Sequence, residues 1–285
     1  MNKKSIYSAL LASAVIAGVY ATPASANIDI SNWQLSLPGI LDTGINQLTY
    51  GGESYVTNTP TSTPGVFTST DTGVFNIGGY NNGQNLPLNG GQLTAVFTAT
   101  DLTNLNGAAP NYIFTGGNFS MYYNPTVVYG TTASNYYGAA TGTQIANFTI
   151  ADTNNPNTGG GFLNADGSPT ANGTVTLSSV PPATLNGSPF LDSTGTPLFQ
   201  NILQGFVTAN ASEDTTANAN NYTIDPKLVQ ALSGSSTTQN NLPYSIFISN
   251  GGQFKLQYIP EPATLALMGI GLLGIALTVR RKQRG

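Results

Sequence analysis

Gln92-Leu93-Thr94-Ala95-Val96-Phe97-Thr98-Ala99-Thr100-Asp101 is the stretch that decides the fold. Its apolar Leu93, Ala95, Phe97 and Ala99 recur at every second position, so an extended chain puts them on one side and the threonines on the other. Gly252 to Tyr258 repeats the pattern with Phe254, Leu256 and Tyr258 aligned. Strands are also expected at Tyr112 to Thr115, Phe119 to Tyr123, Thr126 to Tyr129, Gln144 to Ala151, Thr174 to Ser178, Asn201 to Thr208 and Tyr244 to Ser249. Asn or Asp beside Gly supplies positive φ at low cost, which marks turns at Asn81-Asn82-Gly83, Asn89-Gly90-Gly91, Asp166-Gly167, Asn172-Gly173, Asn186-Gly187 and Asn250-Gly251-Gly252. The expected fold is all-β, a β-sandwich or jelly roll.

One short helix interrupts it. Asp225 can cap the helix, Pro226 suits its first position, Leu228, Val229 and Leu232 form its apolar face, and Gly234 can end it. Such a helix is expected to pack at a sheet edge or end. Val66-Phe67-Thr68-Ser69-Thr70-Asp71 echoes Val96-Phe97-Thr98-Ala99-Thr100-Asp101, which a shared Thr-rich strand composition explains without a repeat. Two Pro/Gly/Asn-rich stretches, Asn154 to Thr174 and Val180 to Pro197, read as long loops or a linker.

Both ends of the chain differ from its middle. Lys3 and Lys4 precede an apolar segment from Ala9 to Val19 and the small-residue triplet Ala24-Ser25-Ala26, the pattern of a secretory signal peptide over residues 1–26. Sec-type export machinery and signal peptidase are its implied partners. At the other end Pro260-Glu261-Pro262 cannot be helical through both prolines, since each lacks an N–H and restricts its predecessor to extended geometry. Ala263 to Val279 then carries no charge, near the minimum length for a transmembrane helix, and Arg280, Arg281, Lys282 and Arg284 follow as a cytoplasmic stop. This divides the chain into a signal peptide (1–26), a β-rich extracellular domain (27–259) and a tail (260–285).

Pro260-Glu261-Pro262-Ala263-Thr264-Leu265-Ala266-Leu267, the Gly/Leu-rich run and the Arg cluster together resemble the PEP-CTERM sorting domain of exosortase substrates. The resemblance implies retention in the inner membrane during export, recognition of Pro260, Glu261 and Pro262 by a membrane transpeptidase-like cysteine enzyme, cleavage, and then release or attachment at the cell surface. It also implies bacteria that make exopolysaccharide, and a place in matrix, biofilm or floc formation. Gly251-Gly252-Gln253-Phe254 and Gly159-Gly160-Gly161-Phe162 are similar to motifs of flocculation-associated proteins of this kind.

Between the two ends only Lys227 and Lys255 face eleven acids, so the domain carries a net charge near −9. That surface repels phosphate backbones and offers no basic patch for nucleic acid. With no Cys, disulfides, thiolate metal sites and thiol catalysis are excluded. With no His, so are the Ser-His-Asp triad and imidazole ligands. A carboxylate pair can still hydrolyse glycosides, with Glu53 and Glu213 among the acids, but most of the acids stand in turn-like surroundings and nothing pairs two of them. Asn32-Trp33-Gln34-Leu35-Ser36-Leu37-Pro38 is similar to the opening strand of some jelly-roll polysaccharide lyases, without the His those enzymes need.

The remaining candidates are contacts rather than catalysts. Trp33 is a core or rim anchor that can double as a sugar platform, and Tyr122, Tyr123, Tyr136 and Tyr137 can stack on sugars, although alternation would bury one of each pair. Calcium is the one cofactor with any basis, through oxygen-rich Asp152-Thr153-Asn154 and Asn164-Ala165-Asp166, for which Asx turns are the simpler explanation. The reading is therefore a non-catalytic surface or matrix protein active in cell aggregation with exopolysaccharide or cell-surface components. A secreted polysaccharide lyase or glycosidase is the alternative.

Overall fold

In the computed structural model, the residues described here are 28–150, 159–170, 173–178, 186–198, 205–211, 215–216, 224–235 and 241–258. The signal peptide, the tail from Pro260, Asp152-Thr153-Asn154 and Glu213 lie outside them. Among the described residues no helix is long and apolar enough to cross a membrane.

Short β1 (Ile28–Asp29) precedes a hairpin of β2 (Trp33–Leu37) and β3 (Ile40–Ile45). The long strands β4 (Leu48–Pro60) and β5 (Val66–Tyr80) follow, then the two-residue β6 (Gln84–Asn85), then β7 (Gln92–Asn104) and β8 (Asn111–Asn124). The second half adds the turn-length α1 (Ser134–Tyr137), β9 (Thr143–Ile150), β10 (Gly159–Phe162), β11 (Gly173–Ser178), β12 (Phe190–Leu191), β13 (Gly205–Ala211), β14 (Thr215–Thr216), α2 (Pro226–Ser233) and β15 (Ser245–Tyr258). Among the described residues the pairings of β2 to β15 are antiparallel, as short Asn/Gly turns require. The sheet runs β4, β5, β7, β8, then β9 and β10 side by side along β8, then β11, β13 and β15. It closes on itself because β15 uses both edges, one on β4 over Ser245–Phe254 and the other on β13 over Gly252–Tyr258. A small second sheet, β12-β2-β3, supplies inward-facing Trp33, Leu35 and Phe190 to the core.

The fold is all-β, and period two is why. On β7 the alternation read from sequence sends Leu93, Ala95, Phe97 and Ala99 into the core with Phe75, Phe119, Met121, Phe148 and Phe254. Phe254 lies at the centre, its ring 5.9 Å from Phe119, 5.7 Å from Phe148 and 6.1 Å from Phe190. The echoed segments are neighbours, since β5 and β7 pair Ser69 with Asp101 and Thr70 with Thr100. Both point Phe and the terminal Asp inward and keep Thr outward.

Three local expectations are corrected. Thr126 to Tyr129 is a loop, because buried Gln92 accepts hydrogen bonds from the N–H groups of Val128 (2.6 Å) and Tyr129 (2.7 Å) that a strand partner would otherwise take. Asn250-Gly251-Gly252 is not a turn but the middle of β15, where Asn250 and Gly251 sit opposite Gly52 and Gly51 of β4. On β4 glycine is required at Gly52, where a Cβ would come within 2.0 Å of the Val74 carbonyl oxygen, whereas a Cβ on Gly251 would meet no atom within 4 Å. The third concerns the helix.

The residues of α2 are as read from sequence. Asp225 Oδ1 accepts the Lys227 N–H at 2.8 Å, Pro226 opens the helix, and Gly234 closes it at φ +70°. Its packing differs, for α2 lies not at an edge or end but on the outer face of the sheet. Leu228, Val229 and Ile224 form a second apolar cluster there with Val74, Val96, Phe247, Tyr137 and Ala139. Asp225 ties the helix down as well as capping it, since its Oδ2 accepts from the Tyr137 hydroxyl at 2.8 Å. Replacing Asp225 with Ala should cost about 1–2 kcal/mol of stability, read from the shift in a urea midpoint, and Asp225→Asn should recover most of the capping part.

Candidate functional site

The outer face around β5 and β7 is hydroxyl-rich towards the far rim, and Glu53 of β4, one of the acids considered for glycoside hydrolysis, lies on the same face opposite Val74. Thr57 on β4 faces Thr70 on β5 with their hydroxyls 2.6 Å apart, and Thr100 on β7 lies 3.1 Å from Thr115 on β8. Thr68, Thr70 and Thr100 are exposed.

Beside this face a segment from Pro125 to Thr141 is pressed onto β7. Two buried polar residues hold it from below. Gln92 binds Val128 and Tyr129 through Oε1 and donates Nε2–H to the Gly138 carbonyl at 3.2 Å, while the Thr94 hydroxyl donates to the Ala139 carbonyl at 2.6 Å. Within the segment Asn135, Tyr136 and Tyr137 all have positive φ (51°, 53° and 60°). A left-handed run costs L-residues roughly 1–2 kcal/mol each, so consecutive ones persist only where their surroundings fix them. Gly138 (φ +84°) completes the run, and a Cβ there would meet the Val128 carbonyl oxygen at 2.5 Å.

The left-handed run sorts the second tyrosine pair. Tyr137 is buried against Tyr129, ring centroids 5.2 Å apart edge to face, and holds Asp225. Tyr136 points outward, 43% exposed. In the first pair Tyr123 is enclosed by the main core and Tyr122 packs half-buried against the second cluster. Trp33 is a core anchor and not a platform: it is fully enclosed, edge-on to Phe190 at 5.8 Å, and its indole N–H has no hydrogen-bond partner among the described residues. As sugar contacts Trp33, Tyr123 and Tyr137 are therefore corrected to core residues, because no face of their rings is open. Of the five candidates Tyr136 alone is exposed.

Next to the pressed segment lies a groove of about 500 Å³, lined by Asn76 and Gly78 of β5, the turn through Leu88, Asn89 and Gly90, and Val127 and Tyr129. Sequence reasoning missed it, since its walls come from three separate stretches and Val127 was assigned to a strand.

Most of the carboxylates with resolved roles are structural. Asp166 Oδ1 accepts from the Ser168 N–H (2.9 Å) and hydroxyl (2.6 Å), and Asp192 Oδ1 accepts from Thr194 N–H (2.8 Å) and Thr196 N–H (2.9 Å). These bonds hold both acids below the ordinary carboxylate range. Asn164 reaches the same Ser168 hydroxyl at 2.9 Å, so the Asn164-Ala165-Asp166 loop is an Asx-type turn. Asp101 is different. It is sealed inside the barrel with Ser69 and Thr103, and burial raises its pKa to about 6 against the opposing effect of their hydroxyls. Among the described residues no three acids converge as metal ligands.

Residues 259–282 match the family model for the PEP-CTERM protein-sorting motif. The chain carries a PEP-CTERM tail. No curated protein and no solved structure matches the chain. The PEP-CTERM motif implies processing by an exosortase and export as a membrane-anchored precursor, and the match covers Pro260, Glu261, Pro262, Arg280, Arg281 and Lys282. Everything ahead of the PEP-CTERM tail has to be read from its own chemistry.

Proposed function

We propose that this PEP-CTERM protein is a non-catalytic component of the cell surface or extracellular matrix that promotes cell aggregation by contacting exopolysaccharide. The observation that carries the reading is the sorting motif at residues 259–282, which directs the domain outward. The domain suits that destination. It has eleven acids against two lysines, which keeps it soluble and away from nucleic acid, and an outer face that carries exposed threonine hydroxyls on neighbouring strands. The acids Asp166, Asp192 and Asp225 are tied into turns or a helix cap and Asp101 is enclosed, which weighs toward contact rather than turnover.

Affinity tests this directly. The full chain in detergent should be retained on immobilised exopolysaccharide purified from the producing cells, without releasing shortened oligosaccharides. Failure to be retained counts against the matrix role, and release of oligosaccharides would favour the lyase or glycosidase alternative.

A further inference from the structure

We propose that the groove between β5, the Leu88–Gly90 turn and the Val127–Tyr129 segment is a binding subsite for a neutral glycan. The inference rests on the matrix-polysaccharide reading above and names where that contact is made and by which class of sugar. Three observations carry it.

The first is the chemistry of the walls. A sugar ring presents C–H faces and pairs of hydroxyls, and it needs an apolar surface beside groups that both donate and accept. Val127 is 55% exposed and Tyr129 lies beside it, while Asn76 and Asn89 are exposed amides, each offering two donors and an acceptor. The volume of about 500 Å³ lies in the range of small-ligand sites, which combine apolar lining with a few placed polar groups.

The second is charge. No carboxylate, lysine or arginine lines the groove. A polyuronate would find no cation there to compensate its carboxylates, in a domain whose net charge is already near −9. A neutral sugar has no such cost.

The third is rigidity. The wall carrying Val127 and Tyr129 is fixed from beneath by Gln92, which is itself 3% exposed and has hydrogen bonds to Val128, Tyr129 and Gly138. The left-handed Asn135–Tyr137 run holds the same segment from its other end, through Tyr137 on Tyr129 and the Gly130 N–H on the Tyr137 carbonyl at 3.0 Å. Backbone strain of this kind concentrates at ligand clamps, and a groove already in its bound shape loses little ordering entropy on binding.

The test separates the groove from the wider reading. Exopolysaccharide from the producing cells is divided by anion exchange into a neutral and an acidic pool, and the full chain in detergent is run through native gels containing each. Retardation is compared for the wild type, for Asn76→Ala/Asn89→Gly, which keeps the left-handed backbone at position 89, and for Val127→Glu, which puts a carboxylate in the groove at an exposed position. The expected result is retardation by the neutral pool, weakened at least tenfold in both variants, with circular dichroism unchanged. Retardation that both variants retain in full would overturn the groove while leaving the polysaccharide reading intact. Retardation by the acidic pool alone would overturn the neutral class, and retardation by neither pool would overturn both readings.

Discussion

Replacing Asp101 with Asn should remove a loss of stability, on the order of 3 kcal/mol, that the wild-type protein suffers between pH 4 and pH 7. Asp101 is 5% exposed, its carboxyl accepts the Thr103 hydroxyl at 2.8 Å, and burial raises its pKa from 3.8 to about 6. Between those two values the folded protein holds a proton that the unfolded chain has released. Stability from this group is therefore complete below about pH 4, falls as pH rises through about 6, and is then level. Roughly two pH units at about 1.4 kcal/mol each give the magnitude. Asn keeps an acceptor for Thr103 and never ionises, so the variant's stability should stay nearly flat over that interval apart from the smaller, same-signed effect of Asp42, whose pKa burial also raises. Asp166, Asp192 and Asp225 have lowered values and act oppositely, with stability present above 3.8 and lost as pH falls further. Urea unfolding at pH 4.5, 6 and 7.5 distinguishes the outcomes: converging curves at low pH and a more stable variant at pH 7.5 are expected, whereas parallel pH profiles would show that Asp101 is ionised in the folded protein.

The second large effect concerns sorting. Changing Pro260, Glu261 and Pro262 together to Ala should abolish processing, leaving the full-length precursor in the inner membrane. Each proline lacks an N–H and disfavours helix at the residue before it, and alanine lifts both restrictions. The lost carboxylate removes the one charge in that stretch. An immunoblot of membrane and surface fractions gives the answer, and a shortened product at normal levels would mean that the cleaving enzyme reads something else.

Some of the fold was legible in the sequence and some was not, for reasons that lie in the barrel itself. The two faces of β7 separate cleanly because one lies on the main core and the other carries threonines, so its period is plain. α2 was legible because a cap, a first-turn proline and a closing glycine act locally. β4 was invisible. Its inward Ser54 and Asn58 line a polar end of the barrel with Ser69, Asp101 and Thr103, so polar residues stand on both faces and no alternation of hydrophobicity remains. The glycines of β15 looked like a turn because Asn beside Gly favours one locally, whereas the partner that keeps them extended, β4, lies some two hundred residues away. Closure of the sheet depends on β15 serving two neighbours, which no local pattern encodes.

The candidate site divides in the same way. The tail could be read outright, since Pro-Glu-Pro, an apolar run and an Arg cluster are contiguous. Trp33 was legible as an anchor but not as core rather than rim, because a large ring at an early strand suits either, and only the packing of Phe190 against it decides. Tyr136 and Tyr137 were rightly expected to part company, but through a left-handed turn rather than strand alternation. Three successive positive φ values at Asn-Tyr-Tyr have no sequence signature, because Gln92, Thr94 and Asp225, distant in the chain, supply the restraint.

The most direct measurement is the settling rate of cells lacking this protein, complemented either with the full chain or with one ending at Ile259. Aggregation restored by the full chain alone is the predicted result, since both the domain and its sorting tail are then required. Cells that settle normally without the protein, or equally well with the truncated form, would contradict a sorted surface protein acting in aggregation.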